Sequence, residues 1–245
     1  MKLLKFFIAT GLIISVFACK KSQIAAVTPT NDDAAILLAG ALANDNYGMS
    51  NLTTDISTAA LNLTNNSTLT CGSSLADSIT RQNTPGAAAS YKYKVKYTNK
   101  FNCNTNSIPD NLAHTGIYTG NFEGPRLKVT SSGSTNYRIG GLTPTAAAHV
   151  FNGDYKSTTN FKFKSDTTNR GTVNILVLAK DLIISKTTHT IQSGKAMVIV
   201  TGSSTKKSTF TFNGNLTFDN ATSATLSLNG AEYAINLVNG EAAKK

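Results

Sequence analysis

The run Tyr91-Lys92-Tyr93-Lys94-Val95-Lys96-Tyr97 constrains this chain more than any other feature of it. Apolar or aromatic residues alternate with lysine, and a period of two puts each kind on its own face of a β-strand. One buried and one solvated face is the condition of an antiparallel sheet, not of a parallel sheet covered on both sides. Phe161-Lys162-Phe163-Lys164 repeats the pattern. Further strand candidates lie at 126–130, 137–142, 172–178, 182–185, 196–201, 208–212, 216–218, 224–228 and 232–238. Asn152-Gly153, Asn213-Gly214, Asn229-Gly230 and Asn239-Gly240 supply residue pairs that tolerate positive φ, the strongest short-range hairpin signal. Connections this short join antiparallel neighbours, so the C-terminal half reads as a β-meander of six or more strands. No alternation of strand and helix indicates a doubly wound fold.

Composition agrees with strands and turns. The 245 residues include 34 Thr, 25 Asn and 22 Ser, while only 15% are charged and 40% hydrophobic. That balance excludes a coiled coil, a helical repeat array and a multi-span membrane protein. Hydroxyl and amide side chains favour strands and turns instead.

Ahead of the meander the period is helical. Asn31 offers an N-cap with Asp32 and Asp33 in the first turn, where negative charge suits the helix dipole. Ile36, Leu37, Gly40, Ala43, Leu52, Ile56, Ala59, Ala60 and Leu63 recur at three- and four-residue spacing, interrupted at Asn44-Asp45-Asn46-Tyr47-Gly48. One broken helix, or two, is expected over 31–64, its apolar stripe packed on a sheet. The fold class expected is therefore α+β, mainly β: an N-terminal helical segment, then a long antiparallel meander forming a curved sheet or half-barrel on the helices. Residues 31–245 read as one domain, because no composition shift divides them. This element order resembles the half-barrel periplasmic lipoprotein carriers, in which a sheet closes over a helix. The resemblance implies an enclosed apolar cavity and a lipid or other apolar ligand.

The first eighteen residues carry an address. Lys2 and Lys5 precede about a dozen apolar residues, too few for the ~20 that span a bilayer, as in a cleavable signal peptide. Val16-Phe17-Ala18-Cys19 resembles the lipobox of bacterial, Gram-negative lipoproteins. By that resemblance residues 1–18 are removed and Cys19 is lipidated, including a palmitate-type acyl group on the new amine. Two or three acyl chains make attachment effectively permanent. Residues 19–30 then form a lipid-anchored tether reaching at most ~36 Å from the membrane. Lys20 and Lys21 stand where the familiar sorting pattern puts an aspartate for inner-membrane retention, which implies the outer membrane, facing the periplasm.

With Cys19 assigned to lipid, Cys71 and Cys103 remain as an even pair in an oxidising compartment, and a disulfide between them is expected. No Cys-x-x-Cys supports a redox role, and His114, His149 and His189 share no ligand spacing, so no metal or other cofactor is expected. Acidic residues are too scattered for a carboxylate pair, and neither a nucleophile elbow nor a phosphate-cradling loop occurs. No catalytic residue is assigned. Lys92, Lys94, Lys96, Lys162 and Lys164 could meet an envelope polyanion, or simply form the solvated face that keeps a sheet soluble. An exported, tethered chain seldom meets nucleic acid. Asp77-Ser78-Ile79 and Asp166-Thr167-Thr168 resemble an O-glycosylation acceptor of one Gram-negative group, which marks Ser78 and Thr167. These readings converge on a membrane-anchored envelope lipoprotein that is not an enzyme, a structural or binding module, with the apolar-ligand carrier as the alternative.

Overall fold

A computed structural model describes residues 30–65, 70–83, 89–205 and 207–245. The expected signal peptide, Cys19 and nearly all of the expected tether lie outside the described residues. Two helices, α1 (Asn31–Leu42) and α2 (Met49–Thr64), are joined through a 3₁₀ turn at Asn44–Asn46. Eleven strands follow: β1 (Ser74–Gln82), β2 (Ser90–Cys103), β3 (Pro109–Glu123), β4 (Leu127–Gly140), β5 (Ala148–Phe163), β6 (Arg170–Ser185), β7 (Ile191–Ser204), β8 (Lys207–Phe218), β9 (Ser223–Leu228), β10 (Ala231–Asn236) and β11 (Ala242–Lys244). Among the described residues they form one sheet in strict sequence order, every pair antiparallel, with β1 and β11 at its edges. The expected meander on helices is the fold observed.

Thr30, not Asn31, caps α1. Its hydroxyl accepts from the Asp33 backbone N–H at 3.1 Å while the Asp33 carboxylate accepts from the Thr30 N–H at 3.0 Å, a reciprocal capping box. Asn31, one residue further on, donates its side-chain N–H to the Leu228 carbonyl at 3.4 Å and so ties the start of α1 to the sheet. The helix packs against β9, β10 and β11, whereas α2 packs against β6 and β7. Leu38, Leu42, Met49 and Ala60 are fully buried in the one core that joins helices to sheet.

The inward face of the sheet is built from aromatics laid over glycines. Tyr93 stands opposite Gly120, Tyr97 opposite Gly116, Tyr118 opposite Gly133 and Tyr137 opposite Gly153. Phe161 meets Gly171, and Phe210 meets Gly202, in the same way. Cross-strand partners share a face, and the Tyr93, Tyr118 and Phe210 rings lie over Gly120, Gly133 and Gly202, which have no side chain to displace them. A Cβ on Gly120 would lie 2.1 Å from the Tyr93 ring. Glycines also let strands bend, and β5 shifts register at Phe151/Gly153, where Gly153 has φ +147°. The sheet can thereby curl over two helices.

Lys92, Lys94, Lys96, Lys162 and Lys164 all lie exposed on the outer face, and Lys164 pairs with Glu123 at 3.1 Å. Ser78 on β1 and Thr167 in the β5–β6 turn are exposed as well. Cys71 and Cys103 are joined, their Cα atoms 5.5 Å apart. The bond anchors β1, an edge strand with nearly every residue exposed, to the end of β2. On the other side Arg81 of β1 grips Asp55 of α2 at 2.7 Å. Replacing both cysteines with serine should cost ~2–4 kcal/mol in urea denaturation, given the sequence separation of 32. Hydrogen exchange of the same variant should show β1 amides opening first, and uniform exchange across the sheet would contradict this account of the edge.

Candidate functional site

The break between the helices is where polar groups gather. Gly48 lets α2 start hard against α1, since a Cβ there would meet the Ala41 carbonyl oxygen at 2.5 Å. Tyr47 before it takes a left-handed conformation, φ +51°. The main chain of the break pairs with the β10–β11 turn: the Asn44 N–H donates to the Leu237 carbonyl and the Asp45 N–H to the Val238 carbonyl, both at 2.8 Å. Gly240, at φ +73°, brings that turn close against Gly40 and Ala43.

Beside this junction opens a groove of ≈ 890 Å³, within the usual range of ligand sites. Its walls come from segments far apart in sequence: the helix break with Asn44, Asp45, Asn46 and Asn51, the β1–β2 flank with Asn83 and Tyr91, the β3–β4 turn with Arg126, and the β10–β11 turn with Asn239 and Glu241. Arg126 and Glu241 reach each other at 3.4 Å. The Asp45 carboxylate is exposed.

Asn46 forms the floor. Its Nδ2 donates to the Gly40 carbonyl at 2.9 Å, which fixes the amide, and leaves Oδ1 buried without a partner. Below it lies a recess of ≈ 30 Å³ lined by Asn46, Ser131, Ser157, Thr159 and Tyr155, space for one water-sized group. A ladder of rings leads inward from the groove. Tyr91 stacks on Tyr47 with centroids 5.8 Å apart, Tyr47 contacts Tyr93 at 5.4 Å, Tyr93 contacts Tyr118 at 6.4 Å, and Tyr118 stacks on Tyr155 at 5.7 Å. Burial raises the pKa of the Tyr93, Tyr118 and Tyr155 phenols, making them weaker acids than usual, so they stay neutral hydrogen-bonding groups. Tyr47 is raised likewise, by burial first and then by its hydrogen bond to Asp55.

Sequence spacing left the histidines scattered, and the structure brings two of them together. Ser57 of α2 lies 2.9 Å from His149 Nδ1 and 3.4 Å from His189 Nδ1, while the Thr54 hydroxyl donates to the His189 carbonyl at 2.8 Å. Ser57 and His149 are both fully buried, out of reach of a dissolved substrate. The cluster joins α2 to β5 and to the β6–β7 turn. His114 sits apart, between Asn99 Oδ1 at 2.8 Å and Thr135 Oγ1 at 3.1 Å. The amide oxygen only accepts, so Nδ1 carries the proton and Nε2 takes the Thr135 hydroxyl hydrogen.

The groove was not legible as a site. Asn44-Asp45-Asn46-Tyr47-Gly48 reads from sequence as a helix break and Asn239-Gly240 as a turn, and both are so, but their convergence is a property of the curled sheet. The one local signal is the density of asparagine where the helical period fails.

Fold and site together define a curled antiparallel meander packed on two helices, with a groove of asparagines and apolar side chains at the helix junction. Comparison of the chain with known protein families, with characterised proteins and with solved structures finds no match.

Proposed function

We propose that this chain is a cell-envelope lipoprotein, anchored through Cys19 in the outer membrane and facing the periplasm, that serves as a non-enzymatic binding module. The observation that carries the binding role is where its open space lies. The helices fill the concave side of the sheet with side chains such as Leu38, Leu42 and Met49, and the recess beneath Asn46 is ≈ 30 Å³. A fatty acyl chain needs far more enclosed room, whereas the ≈ 890 Å³ groove at the rim is open to solvent and mixes asparagines and charged residues with Ile36, Phe122 and Leu127. That weighs for the module over the apolar carrier. Anchorage is supported by the lipobox-like Val16-Phe17-Ala18-Cys19 after a short apolar run.

Changing Cys19 to alanine should move the protein out of the membrane fraction and abolish acyl labelling. Intact mass of the wild-type protein should match a chain cut before Cys19 plus its lipid. Unchanged membrane retention of the variant, or a wild-type mass without lipid, would overturn the anchor.

A further inference from the structure

We infer that the groove at the helix junction binds a neutral oligosaccharide, seated with one hydroxyl on Asn46. The inference deepens the binding-module reading and rests on it. Its starting point is the Asn46 Oδ1 atom: Asn46 is only 7% exposed, the oxygen has no partner, and the residue lines both the groove and the recess beneath it. An unsatisfied buried acceptor is costly, and a ligand that donates to it recovers that cost. The donor must be small, because the recess holds one water-sized group. A hydroxyl meets that limit.

The walls select further. Asn51 and Asn83 use part of their side-chain amides on the protein itself, Asn51 donating to the Asn44 backbone carbonyl. The groove still presents amide donors and acceptors beside one another, with Asp45 and Asn239 exposed at its rim. Neighbouring hydroxyls of a sugar each donate and accept, and so match such a lining group by group. Tyr91, half-buried and stacked on Tyr47, gives the wall an aromatic surface for the C–H face of a pyranose ring.

Charge excludes the main competitors. Of the ionised residues lining the groove, Arg126 and Glu241 pair with each other, leaving the Asp45 carboxylate uncompensated. A polyanion would be repelled there, and the lysines that could hold one stand on the outer face of β2 and β5. An apolar ligand would bring no donor to Asn46 Oδ1, which is already buried without a partner.

The test uses the full-length lipidated protein, purified in lauryldimethylamine oxide because that detergent has no sugar headgroup. It is applied to an array of neutral oligosaccharides, sulfated polysaccharides and peptides, bound species are titrated calorimetrically, and a fatty-acid fluorophore is titrated separately. Neutral oligosaccharides should bind, with affinity reduced about tenfold or more by Asn46→Leu. Asp45→Ala, at an exposed position, should reduce it about threefold and carries the test should the first variant fail to fold. Binding of sulfated polysaccharide or peptide alone, no bound neutral glycan, or neutral-glycan affinity unchanged in Asp45→Ala and in folded Asn46→Leu would overturn the inference while leaving the module standing. Stoichiometric uptake of the fatty-acid fluorophore, displaced by no sugar, would overturn the module reading itself.

Discussion

Replacing Gly133 with valine is expected to leave little folded protein. Gly133 of β4 lies opposite Tyr118 of β3, and the Tyr118 ring crosses it so that its hydroxyl donates to the Lys156 carbonyl on β5 at 3.1 Å. A Cβ at Gly133 would sit 2.0 Å from that carbonyl oxygen and 2.5 Å from the Tyr118 hydroxyl. Neither atom can yield without cost. The carbonyl belongs to the strand backbone, and Tyr118 is 3% exposed, stacked on Tyr155. Overpacking alone costs ~1–3 kcal/mol, and expelling a buried aromatic ring is comparable to the ~3–5 kcal/mol of a large-to-small core change. Together these approach the whole stability of a domain, ~5–15 kcal/mol. Gly140→Ala is the control. The nearest atom to its added Cβ is the Val150 carbonyl oxygen at 4.0 Å, so the change should be neutral or stabilise by ~0.4–1 kcal/mol through the unfolded chain. Soluble yield and urea denaturation of the two variants decide the matter. Equal stability would mean that the aromatic rings do not depend on the glycines beneath them.

That same pairing explains which strands could be read from the sequence. In β2 the inward positions are Tyr93 and Val95 and the outward ones lysine, so hydropathy and facing agree. In β3 they disagree. Its inward residues include His114, Gly116 and Gly120, while Ile117 points outward at 62% exposure, and no apolar alternation marks a strand there. Nor does β1 show one, being exposed on both faces. Asn-Gly is a second case. Asn229-Gly230 and Asn239-Gly240 are the turns expected, whereas Asn152-Gly153 lies inside β5 and Asn213-Gly214 inside β8. A residue that tolerates positive φ serves a bulge as well as a turn, which is what Gly153 does. Gly214 answers a different need, close approach of strands, since a Cβ there would meet the Ser227 carbonyl oxygen of β9 at 2.4 Å. Candidate strands 126–130 and 137–142 therefore fuse into β4, and 208–212 and 216–218 into β8. Of the site, sequence placed the break in the helix and the Asn239-Gly240 turn, but not their meeting, because contacts across a curled sheet have no fixed spacing along the chain.

Between pH 7.5 and 4.5 the folded protein is expected to lose several kcal/mol of stability, through two histidines. His114 has neutral partners, Asn99 and Thr135, and lies between the rings of Tyr97 and Tyr137. Burial without a counter-charge drives its pKa down from 6.5 to about 4. His149, packed against Ser57, is brought to about 4 as well, by burial first and then by the nearby Lys186 and His189. An unfolded chain protonates both rings below pH 6.5, while the folded chain holds them neutral until about 4. The unfolded state thus binds more protons across that interval, so stability is complete above pH 6.5 and falls as pH drops towards 4. For His114 the loss by pH 4.5 is on the order of 2–3 kcal/mol. Carboxylates contribute at lower pH. Glu123, held down by Lys128 and Lys164, and Asp110, held down by Asn111 and Arg138, keep their stabilising charge above the ordinary carboxylate range and lose it only as pH falls through their depressed values. Urea midpoints at pH 7.5 and 4.5 measure the effect, and His114→Gln should lower stability at pH 7.5 yet flatten the slope. Imidazole proton resonances assign it: the His114 ring of the folded protein should not titrate above pH 5. Equal midpoints at the two pH values would mean that these rings are solvated in the folded state, and would remove the burial on which the account of both histidines rests.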